Sequence, residues 1–222
     1  MIIETIVVGP FEVNTYVIYP GPGCDAVIID PGDDPQEILT LVAGRRLNIT
    51  HIVNTHGHGD HIGANGYVKA AFPHAKICIH HRDAHMLTDP RANLSLAFGY
   101  SAVSPPADVL LEGNTEFTAA GVRFRLEHVP GHTPGSLCLM PEISPAVAFT
   151  GDTLFAGTIG RTDMPGGNMG LLLSSIAERI MSLPDDTIVH PGHGLSTTIG
   201  IERANNPFAG GAAAQGRGAE VP

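Results

Sequence analysis

The chain has 222 residues, a formal net charge of −10 at pH 7, 43% hydrophobic residues and 15% charged residues. This length suits a single domain, and the apolar fraction is that of a globular protein. The acidic balance argues against a nucleic-acid partner, because phosphate backbones are bound by a surplus of Lys and Arg. No apolar stretch approaches the roughly 18 residues of a membrane span, and the N-terminus carries no targeting signal. We therefore expect a cytoplasmic protein that contacts neither nucleic acid nor membrane.

The three cysteines Cys24, Cys78 and Cys138 are odd in number and widely spaced. Each stands beside apolar or strand-like sequence, which is typical of buried structural thiols. We expect all three to be reduced, as in a cytoplasmic compartment.

The first half of the chain alternates predicted strands with short helices. β-Branched runs separated by Gly-Pro turns predict an antiparallel meander at the start. The run Asp34-Pro35-Gln36-Glu37 predicts a helix that stops at Gly44, since it supplies an N-cap, a proline in the first turn and an acidic residue. The predicted strands are residues 3–8, 15–19, 26–30, 49–54 and 76–80, and the predicted helices are residues 34–43 and 63–72.

The second half repeats this pattern and suggests one domain over residues 1–208. With mostly hairpin connections, the alternation predicts two sheets packed face to face with helices outside. Residues 87–106 are weakly patterned, and both a loop near the site and a partly helical cover stay open. The Gly- and Ala-rich residues 209–222 are typical of a disordered tail. The predicted strands here are residues 122–129, 136–140, 146–150 and 187–190, and the predicted helix is residues 171–183.

Four side chains that can bind metal fall within six residues, at the end of a predicted strand: His56, His58, Asp60 and His61. No core-packing reason explains such a cluster. In extended or turning backbone, His56 and His58 lie on one side and can reach the same ion. Asp60 and His61 follow at the turn into the next helix, where they can face a neighbouring ion. Imidazole nitrogen and carboxylate oxygen are ligands that zinc accepts, and paired metals can clamp attacking and leaving oxygens.

Four ligands cannot close two metal sites, and three further candidates lie elsewhere in the chain. His132, Asp152 and His193 each follow a predicted strand and stand next to glycine. Glycine lets the backbone turn sharply and approach an ion closely. Strand ends on one edge of the sheets would bring the seven side chains together. Of the remaining histidines, His128 and His190 are close enough in sequence to His132 and His193 to act as hydrogen-bond partners of the ligands.

The chain resembles the metallo-β-lactamase superfamily, whose signature His-x-His-x-Asp-His is matched in full by residues 56–61. Within that superfamily it is most similar to short bacterial glyoxalase II-like (hydroxyacylglutathione hydrolase-like) enzymes, which lack the C-terminal helical domain of longer members. Supporting segments lie at residues 30–32, 55–65, 130–136, 151–152, 160–163, 191–194, 198–200 and 206–208.

The resemblance implies an α/β (α+β) fold, the four-layer αββα sandwich, with metals at one edge between the sheets. It implies two divalent metal ions, zinc foremost, with iron or manganese as alternatives. By the same resemblance, Asp152 would bridge the two metals. The first metal would take His56, His58 and His132, and the second Asp60, His61 and His193.

The implied activity is hydrolysis of a small-molecule thioester such as S-lactoylglutathione by a metal-bridging hydroxide. Asp60 could in addition orient that hydroxide. Arg161 is the expected substrate contact, because similar positions in glyoxalase II enzymes carry a cation that faces glutathione; the alternative is a surface arginine paired with Asp163. Monomer and homodimer are both open.

Two alternatives share this fold. One is a mononuclear iron dioxygenase acting on glutathione persulfide, in which His56, His132 and Asp152 would hold one iron with open positions. The other is a lactonase or β-lactamase-type hydrolase. His193 in Pro-Gly-His-Gly and the segment at residues 198–200 favour a hydrolase over the dioxygenase.

Overall fold

Two six-stranded sheets pack face to face in the computed structural model, which describes residues 1–210. Of the tail predicted at residues 209–222, only Ala209 and Gly210 belong to this part, in a turn where the Gly210 amide donates to the Asn206 carbonyl. The rest of that tail lies outside the described residues. In the part described, no helix is long and apolar enough to cross a membrane.

The first sheet has its six strands in chain order. Strands β1 to β3 are antiparallel, as the meander predicted, but β3 to β6 are parallel. The expectation of mostly hairpin connections is therefore wrong for this half, because helices cross over between β3 and β4 and between β4 and β5. The strands are β1 Ile2–Val8, β2 Val13–Tyr19, β3 Asp25–Ile29, β4 Asn48–Val53, β5 Lys76–His80 and β6 Val109–Leu111, and the crossover helices are α1 Pro35–Arg45, α2 Gly59–Ile62 and α3 Asn65–Ala71.

The second sheet is mostly antiparallel and contains one parallel pair. Its strands are β7 Thr115–Ala119, β8 Val122–His128, β9 Leu137–Pro141, β10 Val147–Gly151, β13 Ile188–Pro191 and β14 Thr197–Thr198, in the order β14-β13-β10-β9-β8-β7. The parallel pair, β10 and β13, is linked through helix α4 Met169–Ser175, which continues as a π-helical turn over Ile176–Ile180. A small hairpin of β11 Leu154–Phe155 and β12 Thr158–Ile159 precedes α4, and α5 Ile199–Asn205 follows β14.

Three apolar cores define four layers. The central core joins the inner faces of both sheets, with Tyr16 from β2 against Phe124 and Phe149 from the second sheet. The two outer cores pack α1 and α3 on the first sheet, and α4 on the second. The αββα sandwich and the mixed α/β class are thus confirmed. Cys78 and Cys138 are buried free thiols as predicted, whereas Cys24 is only partly buried.

The helix predicted over residues 63–72 is confirmed as α3, and a separate short helix, α2, precedes it and begins directly after His58. The chain breaks between α2 and α3 where Gly63 packs on the loop after β3: a side chain there would meet the Gly32 carbonyl oxygen at 2.3 Å, and the Ala64 amide donates to the Pro31 carbonyl. Residues 87–106 are mostly loop beside the site, with one 3-10 turn at Ser95–Phe98, and another 3-10 turn, Ala84–Leu87, leads into them.

Candidate metal centre

Seven predicted ligands come together at one edge of the sandwich, where several strands end. The loop after β4 carries His56 and His58 and leads into α2 with Asp60 and His61. The other three sit after β8, β10 and β13, which are His132, Asp152 and His193. The first sheet thus supplies four of the side chains and the second sheet supplies three.

His56, His58 and His132 form a first cluster whose ring nitrogens converge. His58 Nδ1 lies 3.1 Å from His56 Nε2 and 2.9 Å from His132 Nε2. Tetrahedral zinc with Zn–N bonds of about 2.0–2.1 Å places its ligand nitrogens roughly 3.3 Å apart. All three side chains are buried. The spacing and chemistry of these donors therefore fit a divalent metal ion.

Asp60, His61 and His193 form a second cluster beside the first. His61 Nε2 lies 3.3 Å from His193 Nε2, and Asp60 Oδ2 lies 3.8 Å and 3.5 Å from those two atoms. His61 is fully buried, but the side chains of Asp60 and His193 are 22% and 28% exposed. This second set of donors also fits a metal ion, and it faces the solvent side of the site.

The Asp152 carboxylate lies between the two clusters. Its Oδ2 is 3.6 Å from His132 Nε2 and 3.6 Å from His193 Nε2, while Oδ1 is 3.4 Å from His61 Nε2. Oδ1 is buried and has no hydrogen-bond partner. A buried carboxylate oxygen without a donor is costly unless a cation faces it. Gly192 permits this close approach, since a side chain there would meet Oδ1 at 2.2 Å.

Hydrogen bonds to the far ring nitrogens orient four of the five histidines. Their Nδ1 atoms lie 2.8–3.1 Å from a carbonyl, hydroxyl or carboxylate oxygen, which turns Nε2 toward the site. His58 is the exception and presents Nδ1 to its cluster. The partners are Thr55 Oγ1 for His56, Asp30 Oδ2 for His61, the Arg161 carbonyl for His132 and the Phe11 carbonyl for His193.

The two clusters differ in their electrostatics. Burial lowers the pKa of His58 to about 3 and holds the pKa of His56 well below its usual range, and neighbouring imidazoles add to both shifts. Burial would also lower the pKa of His61 and His193, but the carboxylates of Asp152 and Asp60 outweigh it. They raise the pKa of His193 to about 9 and that of His61 well above its usual value. The second cluster therefore favours positive charge.

Asp30 and Asp83 are buried carboxylates to which the sequence reasoning assigned no role. Asp30 accepts hydrogen bonds from the Thr55 amide and hydroxyl as well as from His61. Although Asp30, His56 and His61 also lie close enough to share an ion, the oxygens of Asp30 are already occupied by these donors. The Asp-Pro-Gly segment at residues 30–32 was the available signal for Asp30.

Asp83 joins the two loops that carry the first cluster. It accepts the Gly57 amide at 3.2 Å, the Gly135 amide at 2.7 Å and the Thr133 hydroxyl at 2.6 Å. Gly57 lies between His56 and His58, and Thr133 follows His132. Burial raises the pKa of Asp83 in spite of these bonds. No pattern around Asp83 in the sequence marks it, because its partners lie 26 to 52 residues away.

Neither of the two histidines predicted as partners of the ligands hydrogen-bonds to a ligand in the described residues, but each contacts a ligand-bearing loop. The His128 Nε2–H donates to the Pro134 carbonyl at 2.9 Å, two residues after His132. His190 instead stacks on Phe149 and pairs with the Ser196 hydroxyl. Ser196 lies three residues after His193, so both histidines contact the ligand-bearing loops rather than the ligands themselves.

Arg161 lines the mouth of the site together with five of the ligands. Its guanidinium makes a two-pronged ion pair with Asp163, with both N···O distances at 2.8 Å. The side chain is 54% exposed. Arg161 therefore acts on the site through its carbonyl, which holds His132, and presents a guanidinium that Asp163 partly neutralises.

Comparison with known proteins places these features in a family. The family model described as "Metallo-beta-lactamase superfamily" matches residues 8–193. The hydroxyacylglutathione hydrolase GloC of Haemophilus influenzae is 37% identical over 211 residues, covering 94% of this chain and 98% of that protein. The crystal structure of BLEG-1 B3 metallo-beta-lactamase superposes with a TM-score of 0.89 at 40% identity, covering 95% of this chain and 100% of the other. TTHA1623 in a di-iron-bound form gives 0.79 at 36% identity, covering 92% and 99%. The chain belongs to the metallo-beta-lactamase superfamily.

Proposed function

We propose that the protein is a dinuclear metal-dependent hydrolase that cleaves a thioester, with S-lactoylglutathione as the reference substrate. The observation that carries this proposal is the Asp152 carboxylate, which lies within 3.6 Å of ligand nitrogens from both clusters. Two ions sharing such a site, zinc foremost and iron or manganese as alternatives, would lower the pKa of water and polarise a carbonyl oxygen. Hydrolysis forms a C–O bond, breaks the C–S bond and gives the thiol the proton of water.

The chain's own residues contribute binding and orientation. His56, His58 and His132 would hold the first ion, and Asp60, His61 and His193 the second. Burial opposes ionisation of Asp60, but His61 and His193 outweigh it and lower its pKa. An ionised Asp60 that faces the cavity can accept a hydrogen bond from the attacking water and so orient it.

No covalent nucleophile is needed, and the two buried thiols are unsuited to that role. Burial raises the pKa of both Cys78 and Cys138 well above the usual thiol value. A buried neutral thiol is a poor nucleophile. The water molecule is thus the attacking group in this proposal.

The test is a thioester assay in parallel with metal analysis. Purified protein loaded with zinc, iron or manganese should contain about two metals per chain and should hydrolyse S-lactoylglutathione, followed as thiol release. One iron per chain, persulfide-dependent oxygen uptake and no thioester cleavage would contradict the proposal and favour the dioxygenase.

Arg161 is the proposed contact for an anionic thiol group. Arg161→Ala should raise KM for anionic thioesters more than for neutral ones, and Asp163→Asn should lower KM for the anionic ones because it releases the guanidinium. Arg123→Ala is the matched control, because Arg123 on β8 is an equally exposed arginine that pairs with Glu142. An equal effect of Arg161→Ala on both substrates would remove its role.

β-Lactam hydrolysis is a second candidate, favoured by the 40% identity and TM-score of 0.89 with BLEG-1 B3 metallo-beta-lactamase. The same metal ions and the same attack by water would open the β-lactam ring, which is a cyclic amide. Penicillin and cephalosporin turnover, measured on the same metal-loaded samples, decides between the two candidates. A kcat/KM for a β-lactam above that for the thioester would replace the first proposal by the second.

A further inference from the structure

Three aromatic side chains form a wall beside the candidate metal centre. The ring centroid of Phe11 lies 5.5 Å from that of Phe98 and 5.8 Å from that of Tyr100. Phe11 and Phe98 are 38% and 50% exposed. We call this group the aromatic wall. Clustered aromatic surface left open at the mouth of a site is typical of a surface that a ligand covers.

The aromatic wall belongs to the second-cluster side of the site. All three residues line both the small cavity that contains the ligands and an adjoining cavity of about 640 Å³. Asp60 also lines both cavities, and the Phe11 carbonyl holds His193. The adjoining volume falls within the range of about 300–1,000 Å³ that is usual for small-molecule pockets.

The charges around the adjoining cavity exclude an anionic group. Among the described residues that line it there is no lysine or arginine, and its charged side chains are Asp33 and Asp60. Burial raises the pKa of Tyr100, and the carboxylates of Asp60 and Asp33 add to that shift, so the phenol stays neutral. A carboxylate or phosphate would meet only like charge here, whereas an uncharged apolar group would cover the aromatic rings.

The segment that supplies Phe98 and Tyr100 is hydrogen-bonded to the start of α2, directly after the loop that carries His56 and His58. The Gly59 amide, next to His58, donates to the Asn93 carbonyl at 2.8 Å. The Asn93 side chain in turn donates to the carbonyls of Met86 and Ala102. Leu94 is held in the left-handed region at φ 66° and lines the ligand cavity. A non-glycine residue in that region is strained and marks a conformation that the surrounding contacts impose.

We propose that the aromatic wall and its cavity bind the acyl group of the substrate, and that this group is bulky, uncharged and apolar, such as an arylacetyl or branched acyl chain. The inference rests on the proposed thioester hydrolysis: with the thiol portion directed to Arg161 beside His132, the acyl portion lies on the side of Asp60 and His193. A bulky apolar acyl group thus replaces the small polar lactoyl group as the preferred acyl group.

The experiment compares two thioesters that share one neutral thiol, the N-acetylcysteamine thioesters of phenylacetate and of lactate. Metal-loaded protein should show a kcat/KM at least about tenfold higher for the phenylacetyl thioester. Phe98→Ala should lower that value about tenfold and change the lactoyl value by less than about twofold. Phe208→Ala is the matched control, because Phe208 is 43% exposed and is not among the residues that line the two cavities.

Binding of the product acids separates this inference from the proposed function. Calorimetric titration of metal-loaded protein should detect phenylacetate more tightly bound than lactate, with the difference lost in Phe98→Ala. Equal use of both thioesters, or an equal loss on both in Phe98→Ala, overturns the acyl pocket while thioester hydrolysis stands. If neither thioester is cleaved, the proposed function fails; Phe98-dependent phenylacetate binding then still supports the apolar pocket, and its absence overturns it.

Discussion

The two ligand clusters use similar side chains but differ in their burial and in the charge that they favour. The first cluster holds three imidazoles, all buried, and the loops that carry them are joined by Asp83. The second cluster includes a carboxylate and is partly open to solvent, and His193 comes from a loop tied to the Phe11 carbonyl. The difference teaches that burial keeps imidazoles neutral in the first cluster, while carboxylates favour positive charge in the second.

Loss of one ligand should therefore affect the two clusters unequally. His58→Ala should abolish hydrolysis and strongly reduce metal content, because the first cluster retains only two buried imidazoles. His193→Ala should keep about one metal per chain, held by the intact first cluster, and should lower kcat/KM by roughly 10²-fold or more because the second ion is bound weakly or lost. Elemental analysis and thioester turnover on both variants test the comparison.

The exposed histidine His74 provides the control for these substitutions, since it contacts Asn48 and none of the ligands. His74→Ala should retain activity and metal content. Full activity with unchanged metal in His58→Ala would refute the assignment of the first cluster.

Asp83 should matter to the first cluster alone. Asp83→Ala removes the acceptor of two backbone amides and one buried hydroxyl, which should cost about 2–3 kcal/mol in the free energy of unfolding. It should also weaken metal binding about 10–100-fold, the usual effect of losing a residue that orients ligands. Competition with a chelator measures the affinity, and urea unfolding measures the stability.

The conservative variant Asp83→Asn keeps an acceptor oxygen and should recover part of the metal affinity. If Asp83→Ala lowers stability while both metals bind as tightly as in the unaltered protein, then Asp83 supports the fold but does not position the ligands.

A third group of histidines, His80, His81 and His128, shows what burial among neighbouring imidazoles does. The ring centroids of His80 and His128 lie 4.3 Å apart with 8° between the ring planes. The His81 ring also stacks on the His80 ring, with centroids 4.3 Å apart. Burial, with His128, His81 and Arg82 nearby, lowers the pKa of His80 to about 4. His80 Nδ1 accepts the Arg82 amide, so the ring is neutral and its role is structural.

This group should make folding stability depend on pH. The pKa of His80 is lower in the folded state than the value of about 6.5 in an unfolded chain, so the unfolded state takes up the proton first as pH falls. The stabilisation is thus complete above about pH 6.5 and is lost toward pH 4, with up to about 2 kcal/mol lost between pH 7 and pH 5.

Urea unfolding of the unaltered protein and of His80→Gln at both pH values isolates this contribution, because other titrating groups cancel in the difference. The variant should lose less stability on acidification by up to that amount. His74→Gln serves as the control and should follow the unaltered protein. Identical pH dependence in His80→Gln would remove the role of His80.

Much of the fold could be predicted from local sequence patterns. The continuous apolar runs of β2, β3 and β10 and the proline in the first turn of α1 specify those elements within a few residues. The predicted N-cap is wrong, because the Asp34 side chain accepts the Gly9 amide and makes no hydrogen bond to the helix. The parallel pairing of β3 to β6 could not be predicted from these patterns, because strand order depends on how the helices cross the sheet. The short strands β11, β12 and β14 have two residues each, too few for any period to appear.

The sequence by itself determined the set of candidate ligands, because four of them lie in one run and three follow strands beside glycine. Only the tertiary structure decided how they are held and what surrounds them. Asp83 reaches partners up to 52 residues away, and the aromatic wall joins Phe11 to residues of a distant, weakly patterned segment. Local patterns report backbone conformation and ligand type, whereas a buried carboxylate or a cavity wall exists only once separate segments pack together.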